Sequence, residues 1–369
     1  MKLAITIGTR PEIIKLSPVI RLCESRKIDY ILIHTNQHYS YEMDKVFFDD
    51  LELPQPTFNL NVGSGSHGYQ TGRMIEGIEK ILIKEKPHIT ITQGDTNTTL
   101  AAALASAKLQ IPVAHVESGM RAFNMKLPEE INRILTDHCA NFLFCPTKTA
   151  QDNLLREGIM KSKTYLVGDT LADATLYNIG IAEKRSSILR SLKVKPKKYL
   201  LLTSHRPGNV DEKENLLRIL RAVKRLSKLY DIPTIFPMHP RTKKMVNEFE
   251  LEELLETDKV KVIDPLGYLD FLILEKNALV TLTDSGGVQE ECCQLKTPCV
   301  TLRNETEWEE TVKVGANILA GTNEKKIVES VRKMLKSKRN WKHPLGNGKA
   351  TERILSILLR KYRAASGKQ

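Results

Sequence analysis

The sequence predicts an α/β fold built on parallel sheets. Short apolar segments rich in Ile, Val, Leu and Thr alternate with amphipathic stretches along the chain. The segments are nearly continuous in apolarity, as strands covered on both faces are, rather than alternating with polar residues. The pattern restarts near Val167-Gly168-Asp169-Thr170. Strand and helix in alternation over 369 residues leave room for two domains with a core each.

Taken in order, the strand candidates are 3–7, 30–35, 88–93, 112–116, 142–145 and 164–167, then 199–203, 234–237, 260–263, 279–283 and 299–302. Eleven strands are many for one sheet, and segment 199–203 opens a second series. Between the strands lie stretches such as 215–229, where Leu216, Ile219, Leu220, Val223 and Leu226 share one helical face. The expected architecture is two Rossmann-like domains facing a cleft, an N-terminal one over 1–168 and a C-terminal one over 169–350. In open α/β sheets, ligands sit beyond the C-terminal strand ends.

Composition excludes several classes. With 41% hydrophobic and 27% charged residues, the chain is not mainly disordered. No apolar run approaches the roughly 20 residues of a bilayer crossing. Residues 1–10 are too short a hydrophobic stretch for a signal peptide and end in charge. They read as a first buried strand, and a cytoplasmic protein without a membrane partner is expected. Six cysteines, at 23, 139, 145, 292, 293 and 299, form no CxxC and read as small buried hydrophobes. The net charge of +12 is local: residues 324–369 hold 14 Lys and Arg against 3 Glu, leaving +1 for the other 323. Only Trp341 and Tyr362 interleave as aromatics, so this end reads as a solvated face and no nucleic-acid partner is expected.

The strand ends concentrate polar motifs. Segment 3–7 is followed by Gly8-Thr9-Arg10-Pro11-Glu12, with Lys15 one turn into a helix. Gly94-Asp95-Thr96 follows 88–93, and Glu117-Ser118-Gly119-Met120-Arg121 follows 112–116. In the second series come Ser204-His205-Arg206-Pro207, Met238-His239-Pro240-Arg241 and Asp284-Ser285-Gly286-Gly287. Ser285-Gly286-Gly287 opening a helix suits a phosphate, because glycine admits close approach and free N–H groups favour an anion. Arg10 and Lys15 add positive charge, and Glu291 one turn on suits a ribose diol. Together these suggest a nucleoside diphosphate. Gly63-Ser64-Gly65-Ser66-His67-Gly68 fits GxGxxG, but the preceding run is broken by asparagines and the acid at the right distance, Glu85, lies in a Lys-rich helical stretch. It reads as a loop, and no nicotinamide cofactor is expected. The histidines are scattered and no metal is expected.

These motifs resemble the non-hydrolysing UDP-N-acetylglucosamine 2-epimerases: GTRPEIIKLSP (8–18), QGDTNTT (93–99), HVESGMR (115–121), PEEINR (128–133), LLTSHR (201–206) and LTDSGGVQEE (282–291). The resemblance spans nearly the whole chain. It implies the glycosyltransferase-B type of architecture, with UDP held mostly by the C-terminal domain and a last helix, within 351–369, crossing back to the N-terminal domain. It implies diphosphate and sugar contacts at Arg10 and Lys15, and catalytic roles for Asp95, Glu117, Glu129 and His205. UDP contacts fall on Leu266, Phe271, Ser285, Gly286, Gly287 and Glu291. Gln37 and His239 match part of a second, activating UDP-sugar site. Family members are commonly homodimers. Where many members carry a second arginine that touches the ligand, this chain has Trp308. An indole cannot pair with phosphate and is expected to pack on the sugar's periphery.

The expected reaction is inversion at C2 of a UDP-hexosamine. No carbonyl adjacent to C2 acidifies its proton. Without a nicotinamide, the route is removal of that proton as the anomeric C1–O bond to UDP breaks, followed by re-addition. The cationic residues and the helix start would stabilise departing UDP, and clustered carboxylates would move the proton. A related epimerase acting on a diacetamido uronic acid UDP-sugar and a UDP-sugar glycosyltransferase are the alternatives.

Overall fold

The computed structural model describes residues 1–37 and 47–366. The chain falls into two compact units: Met1–Tyr177 with Leu345–Gln369, and Asn178–Pro344. The first division lies inside the helix Thr170–Arg185 rather than at the 167–170 turn, because that helix caps the returning chain.

In the first unit, the described residues form seven parallel strands. They are β1 (Leu3–Ile7), β2 (Tyr30–His34), β3 (Phe58–Asn59), β4 (Ile89–Gln93), β5 (Val113–Val116), β6 (Phe142–Cys145) and β7 (Thr164–Leu166), in spatial order β3-β2-β1-β4-β5-β6-β7. Leu3 lies opposite Tyr30 on one side and Ile89 on the other. β1, β4 and β5 are buried along their whole length, as their unbroken apolarity requires. The helix Asn97–Lys108 turns Ala101, Ala102 and Ala105 toward Met74, Ile78, Ile81 and Leu82 of the helix His67–Glu85. Small side chains there let the two helices approach closely. The C-terminal helix Ala350–Ser366 belongs to this unit and packs on the helix Arg10–Arg26, with Ile354, Leu355 and Leu358 fully buried.

The second unit has six described strands. They are β8 (Leu200–Thr203), β9 (Thr234–Pro237), β10 (Val260–Ile263), β11 (Val280–Thr283), β12 (Cys299–Thr301) and β13 (Asn317–Leu319), in the order β10-β9-β8-β11-β12-β13. The helix Lys213–Tyr230 buries Leu216, Ile219, Leu220, Val223 and Leu226 against this sheet, about 1.5–3 kcal/mol for each large side chain.

Both sheets are doubly wound. The winding reverses between β1 and β4 in one and between β8 and β11 in the other, which is where such sheets open a crevice. The residues following those four strands are Gly8-Thr9-Arg10, Gly94-Asp95-Thr96, Ser204-His205-Arg206 and Asp284-Ser285-Gly286. Two short strands, β3 and β13, were not among the eleven expected. Each is two or three residues long, sits at a sheet edge and contains an asparagine, so neither carries an apolar run. No helix among the described residues is long and apolar enough to cross a membrane.

Candidate active site

In the first unit the switch-point turns hold one another in place. Gly8 follows β1 with no room for a side chain: a Cβ there would stand 2.0 Å from Thr98 Oγ1 and 2.2 Å from Thr35 Oγ1. Thr9 then caps the helix Arg10–Arg26. Glu12 Oε2 accepts from the Gly8 and Thr9 N–H groups (2.8 Å each) and from the Thr9 hydroxyl (3.0 Å). Glu12 Oε1 accepts from the Thr96 hydroxyl at 2.7 Å. Burial pushes the Glu12 carboxyl up to about 7 against these hydrogen bonds.

One turn along the same helix, Lys15 Nζ donates to Glu117 Oε2 at 2.6 Å, and Gln93 Nε2 donates to the same oxygen at 2.6 Å. Both side chains of the Lys15–Glu117 pair are largely shielded, 11% and 13% exposed. Burial raises the Glu117 carboxyl above the ordinary range; Lys15 pulls it back, while Asp169 and Asp95 push it up further. Its backbone is left-handed, φ +68, so the turn aims the side chain back toward β4 and the first helix. A carboxyl raised in this way beside a lysine has the make-up of a proton-transfer group.

Asp95 is half-buried. Arg133 donates to its Oδ2, and Asn132 Nδ2 donates to its backbone carbonyl at 2.9 Å. Glu129 is exposed in the first turn of the helix Pro128–Cys139, whereas its neighbour Glu130 is buried and accepts from the Ala122 and Phe123 N–H groups and from Arg133. Arg10 is half-buried, its guanidinium 5.7 Å from the centre of the Phe47 ring. Thus the unit brings Lys15, Glu117 and Gln93 into direct contact, places Asp95 close enough to act on Glu117, and leaves Glu129 at the surface.

Beneath these turns lies a network that sequence reasoning passed over. His115 is fully buried; its Nε2 donates to the Gly94 carbonyl (2.9 Å) and its Nδ1 meets Asp137 Oδ1 (2.7 Å). Asp137 Oδ2 also takes the Gly119 N–H (3.1 Å) and Arg121 (2.8 Å), and Arg121 forks onto Glu157. Burial opposes charge on Asp137, but His115 and Arg121 outweigh it and hold the carboxyl below its usual range. The network fixes the turns after β4 and β5 from below.

In the second unit Asp284 organises the turn after β8. It is fully buried, and its carboxylate accepts from the Ser204 hydroxyl (2.7 Å), the His205 and Arg206 N–H groups (3.0 Å each) and Asn209 Nδ2 (3.2 Å). His205 is thereby presented with its side chain 40% exposed, its Nδ1 3.5 Å from Asp284 Oδ1. The His239 ring lies 5.6 Å away, and burial with the neighbouring His205 lowers its pKa. His239 Nδ1 caps the helix Pro240–Glu248 by accepting from the Arg241 N–H.

Ser285 caps the helix Gly286–Gln294, and Ser285, Gly286 and Gly287 are all partly accessible. Glu291, 5% exposed, accepts from the Tyr268 hydroxyl at 2.8 Å. Phe271 packs on Val288, Cys292 and Cys299, and Leu266 lies half-buried in the loop before Tyr268. Arg303 pairs with Glu307 at 2.9 and 3.0 Å; burial works against that carboxylate, yet Arg303 and then Arg206 hold it down to about 2.

Gln37 is buried: its Oε1 accepts from the N–H and hydroxyl of Thr98 at the start of a helix, so it braces the turn after β2. Trp308 is 4% exposed, and its Nε1 lies 3.5 Å from where a Gly286 Cβ would stand. It therefore backs the helix start instead of lining a periphery.

The family model for UDP-N-acetylglucosamine 2-epimerase matches residues 21–359. The UDP-N-acetylglucosamine 2-epimerase of Methanocaldococcus jannaschii is 57% identical over 97% of this chain and 99% of its own. The UDP-2,3-diacetamido-2,3-dideoxy-D-glucuronate 2-epimerase of Pseudomonas aeruginosa is 42% identical over 97% and 99%. Among solved structures, the Methanocaldococcus jannaschii enzyme in complex with UDP-GlcNAc and UDP superposes with a TM-score of 0.89 at 56% identity, covering 98% of this chain and 100% of that one. With the motifs on the switch-point turns, a profile match over most of the chain and near-full-length relatives, the chain belongs to the UDP-N-acetylglucosamine 2-epimerase family of isomerases.

Proposed function

We propose that the protein interconverts UDP-N-acetylglucosamine and UDP-N-acetylmannosamine by eliminating and re-adding UDP. The substrate assignment rests on the 57% identical relative that carries this activity in its name. The chemical route rests on Glu117: a shielded carboxyl of raised pKa, held by Lys15 and Gln93 at 2.6 Å, is built to exchange a proton.

In this reading a carboxylate of the first unit takes the C2 proton while the C1–O bond to the β-phosphate breaks. The electron pair of the C2–H bond becomes the C1=C2 double bond of 2-acetamidoglucal, and the C1–O pair leaves with UDP. Return of a proton to the opposite face of C2 and of the phosphate oxygen to C1 gives the other epimer. Glu117 and Asp95 are assigned to proton transfer with Glu129 as a third carboxylate. His205 is assigned to protonation of the phosphate or charge stabilisation there. Arg10 and Lys15 are assigned to the diphosphate and sugar, as are the N–H groups of Ser285, Gly286 and Gly287 to the diphosphate. Glu291, oriented by Tyr268, is assigned to the ribose hydroxyls, and Leu266 and Phe271 to the uridine. Gln37 and His239 remain the residues to test for a second nucleotide-sugar site.

Proton NMR of the protein with UDP-N-acetylglucosamine in D2O tests the route. Deuterium is expected at C2 of both epimers with no added NAD. Product that keeps protium at C2, or turnover that needs NAD, overturns it. A second reading, C2 inversion of UDP-2,3-diacetamido-2,3-dideoxy-D-glucuronate, is favoured by the 42% identical relative of that name. Competition between the two sugars in one assay decides by their kcat/KM ratio.

A further inference from the structure

We propose that Glu12 is a positioning residue whose buried carboxyl ties the turn that carries Arg10 to the turn that carries Asp95. The proposal rests on the reading of Asp95 as part of the proton-transfer machinery. Local capping of the helix start explains the three Glu12 hydrogen bonds of Oε2, to Gly8 and Thr9. It does not explain Oε1. That oxygen accepts from the Thr96 hydroxyl, 84 residues away, at 2.7 Å, and lies 3.1 Å from the Thr99 hydroxyl. Thr96 is the residue after Asp95 and caps the helix Asn97–Lys108.

The tie reaches further than one turn. The Thr99 hydroxyl donates to the Gln93 carbonyl at 2.7 Å, and the Gln93 side chain donates to Glu117. One carboxyl, 1% exposed, therefore stands behind Arg10, Asp95 and the residue that holds Glu117. A helix cap needs no partner on a second helix. A group that must keep two polar turns in register does, and a misplacement of about 1 Å costs on the order of 10²-fold in rate.

An amide can make the same span. In Glu12→Gln the oxygen accepts from Gly8 and Thr9 while the nitrogen donates to Thr99 Oγ1, whose own proton already goes to Gln93. In Glu12→Met, of similar length, every bond is lost. The experiment measures kcat and KM with UDP-N-acetylglucosamine for both variants, well below their melting temperatures, with Asp95→Asn alongside. Glu12→Met is expected to lose about 10²-fold in kcat, and Glu12→Gln no more than about threefold. Should Glu12→Met fail to fold, Thr96→Val and Thr96→Ser decide: Val, which removes the bond to Glu12 together with the cap of the helix Asn97–Lys108, is expected to lower kcat about tenfold at unchanged KM, and Ser, which can make both, to restore it. Folded Glu12→Met with near wild-type kcat, Glu12→Gln as impaired as Glu12→Met, or Thr96→Val indistinguishable from Thr96→Ser overturns the proposal. If Asp95→Asn is impaired while Glu12→Met is not, the tie alone falls; if Asp95→Asn also turns over normally, the reading of Asp95 falls with it.

Discussion

At the scale of single residues, the same Glu12 makes a measurable claim on stability. Its carboxyl holds a proton to about pH 7 in the folded chain but only to about 4.5 when exposed. Between those values the folded state binds more protons than the unfolded state, so stability falls as pH rises through the window and stays lower above it. The cost is on the order of 3 kcal/mol above pH 7. Urea unfolding at pH 5 and pH 7.5 should show Glu12→Gln gaining on the wild type by roughly that amount at the higher pH; an equal difference at both values would contradict it. Glu12 was invisible as anything but part of a motif, because Thr96 and Thr99 lie 84 and 87 positions away and no local pattern links them to it. Trp308 was misplaced for the same reason: it packs against Gly286, a partner that only the folded chain supplies, as Thr98 is for the buried Gln37.

At the scale of elements, the turn after β8 owes its shape to the end of β11. Four donors of residues 204–209 converge on Asp284; Asn209 Nδ2 also donates to the Leu302 carbonyl at 2.9 Å, so losing Asp284 falls hardest on the Ser204 hydroxyl and the His205 and Arg206 N–H groups. Asp284→Ala is expected to cost about 2–5 kcal/mol, since each stranded buried donor is worth about 1–3 and the turn relaxes only in part. Chemical denaturation measures the loss, and a change below about 0.5 kcal/mol would mean the turn is held by something else. Elements with an unbroken apolar run, such as β1 and β11, were legible from sequence to within a residue, because burial on both faces leaves one composition. The helix Lys213–Tyr230 was legible from its period. β3 was not, because an edge strand of two residues is held by backbone bonds to β2 that no side chain announces.

At the scale of the whole molecule, the chain leaves the first unit after Tyr177 and comes back at Leu345. The return is specific. The Asp169 N–H donates to the Leu345 carbonyl (2.7 Å), Asp173 accepts from the N–H groups of Ala350 and Thr351, and Arg353 donates to the Val167 carbonyl (2.6 Å). The ring of Tyr362 meets His88 edge-on at 4.8 Å. A chain stopped at Pro344 should lose on the order of 5 kcal/mol from the first unit through Ile354, Leu355 and Leu358 alone. Hydrogen exchange would show that loss confined to Met1–Tyr177, with the strands of Asn178–Pro344 protected as before; uniform loss in both units would contradict it. That two sheets exist was legible from the restart of the pattern, and their composition from contiguous strands. This discontinuous membership also sets a clock on synthesis. A ribosome adding about 5–20 residues per second takes roughly 10–40 s to run from Asn178 to Ser366. For that interval the first unit is a finished sheet with an uncovered apolar flank on the helix Arg10–Arg26, while the second unit can fold in sequence order. The nascent chain is therefore most exposed to chaperones and proteases along that flank until the helix Ala350–Ser366 has emerged to close it.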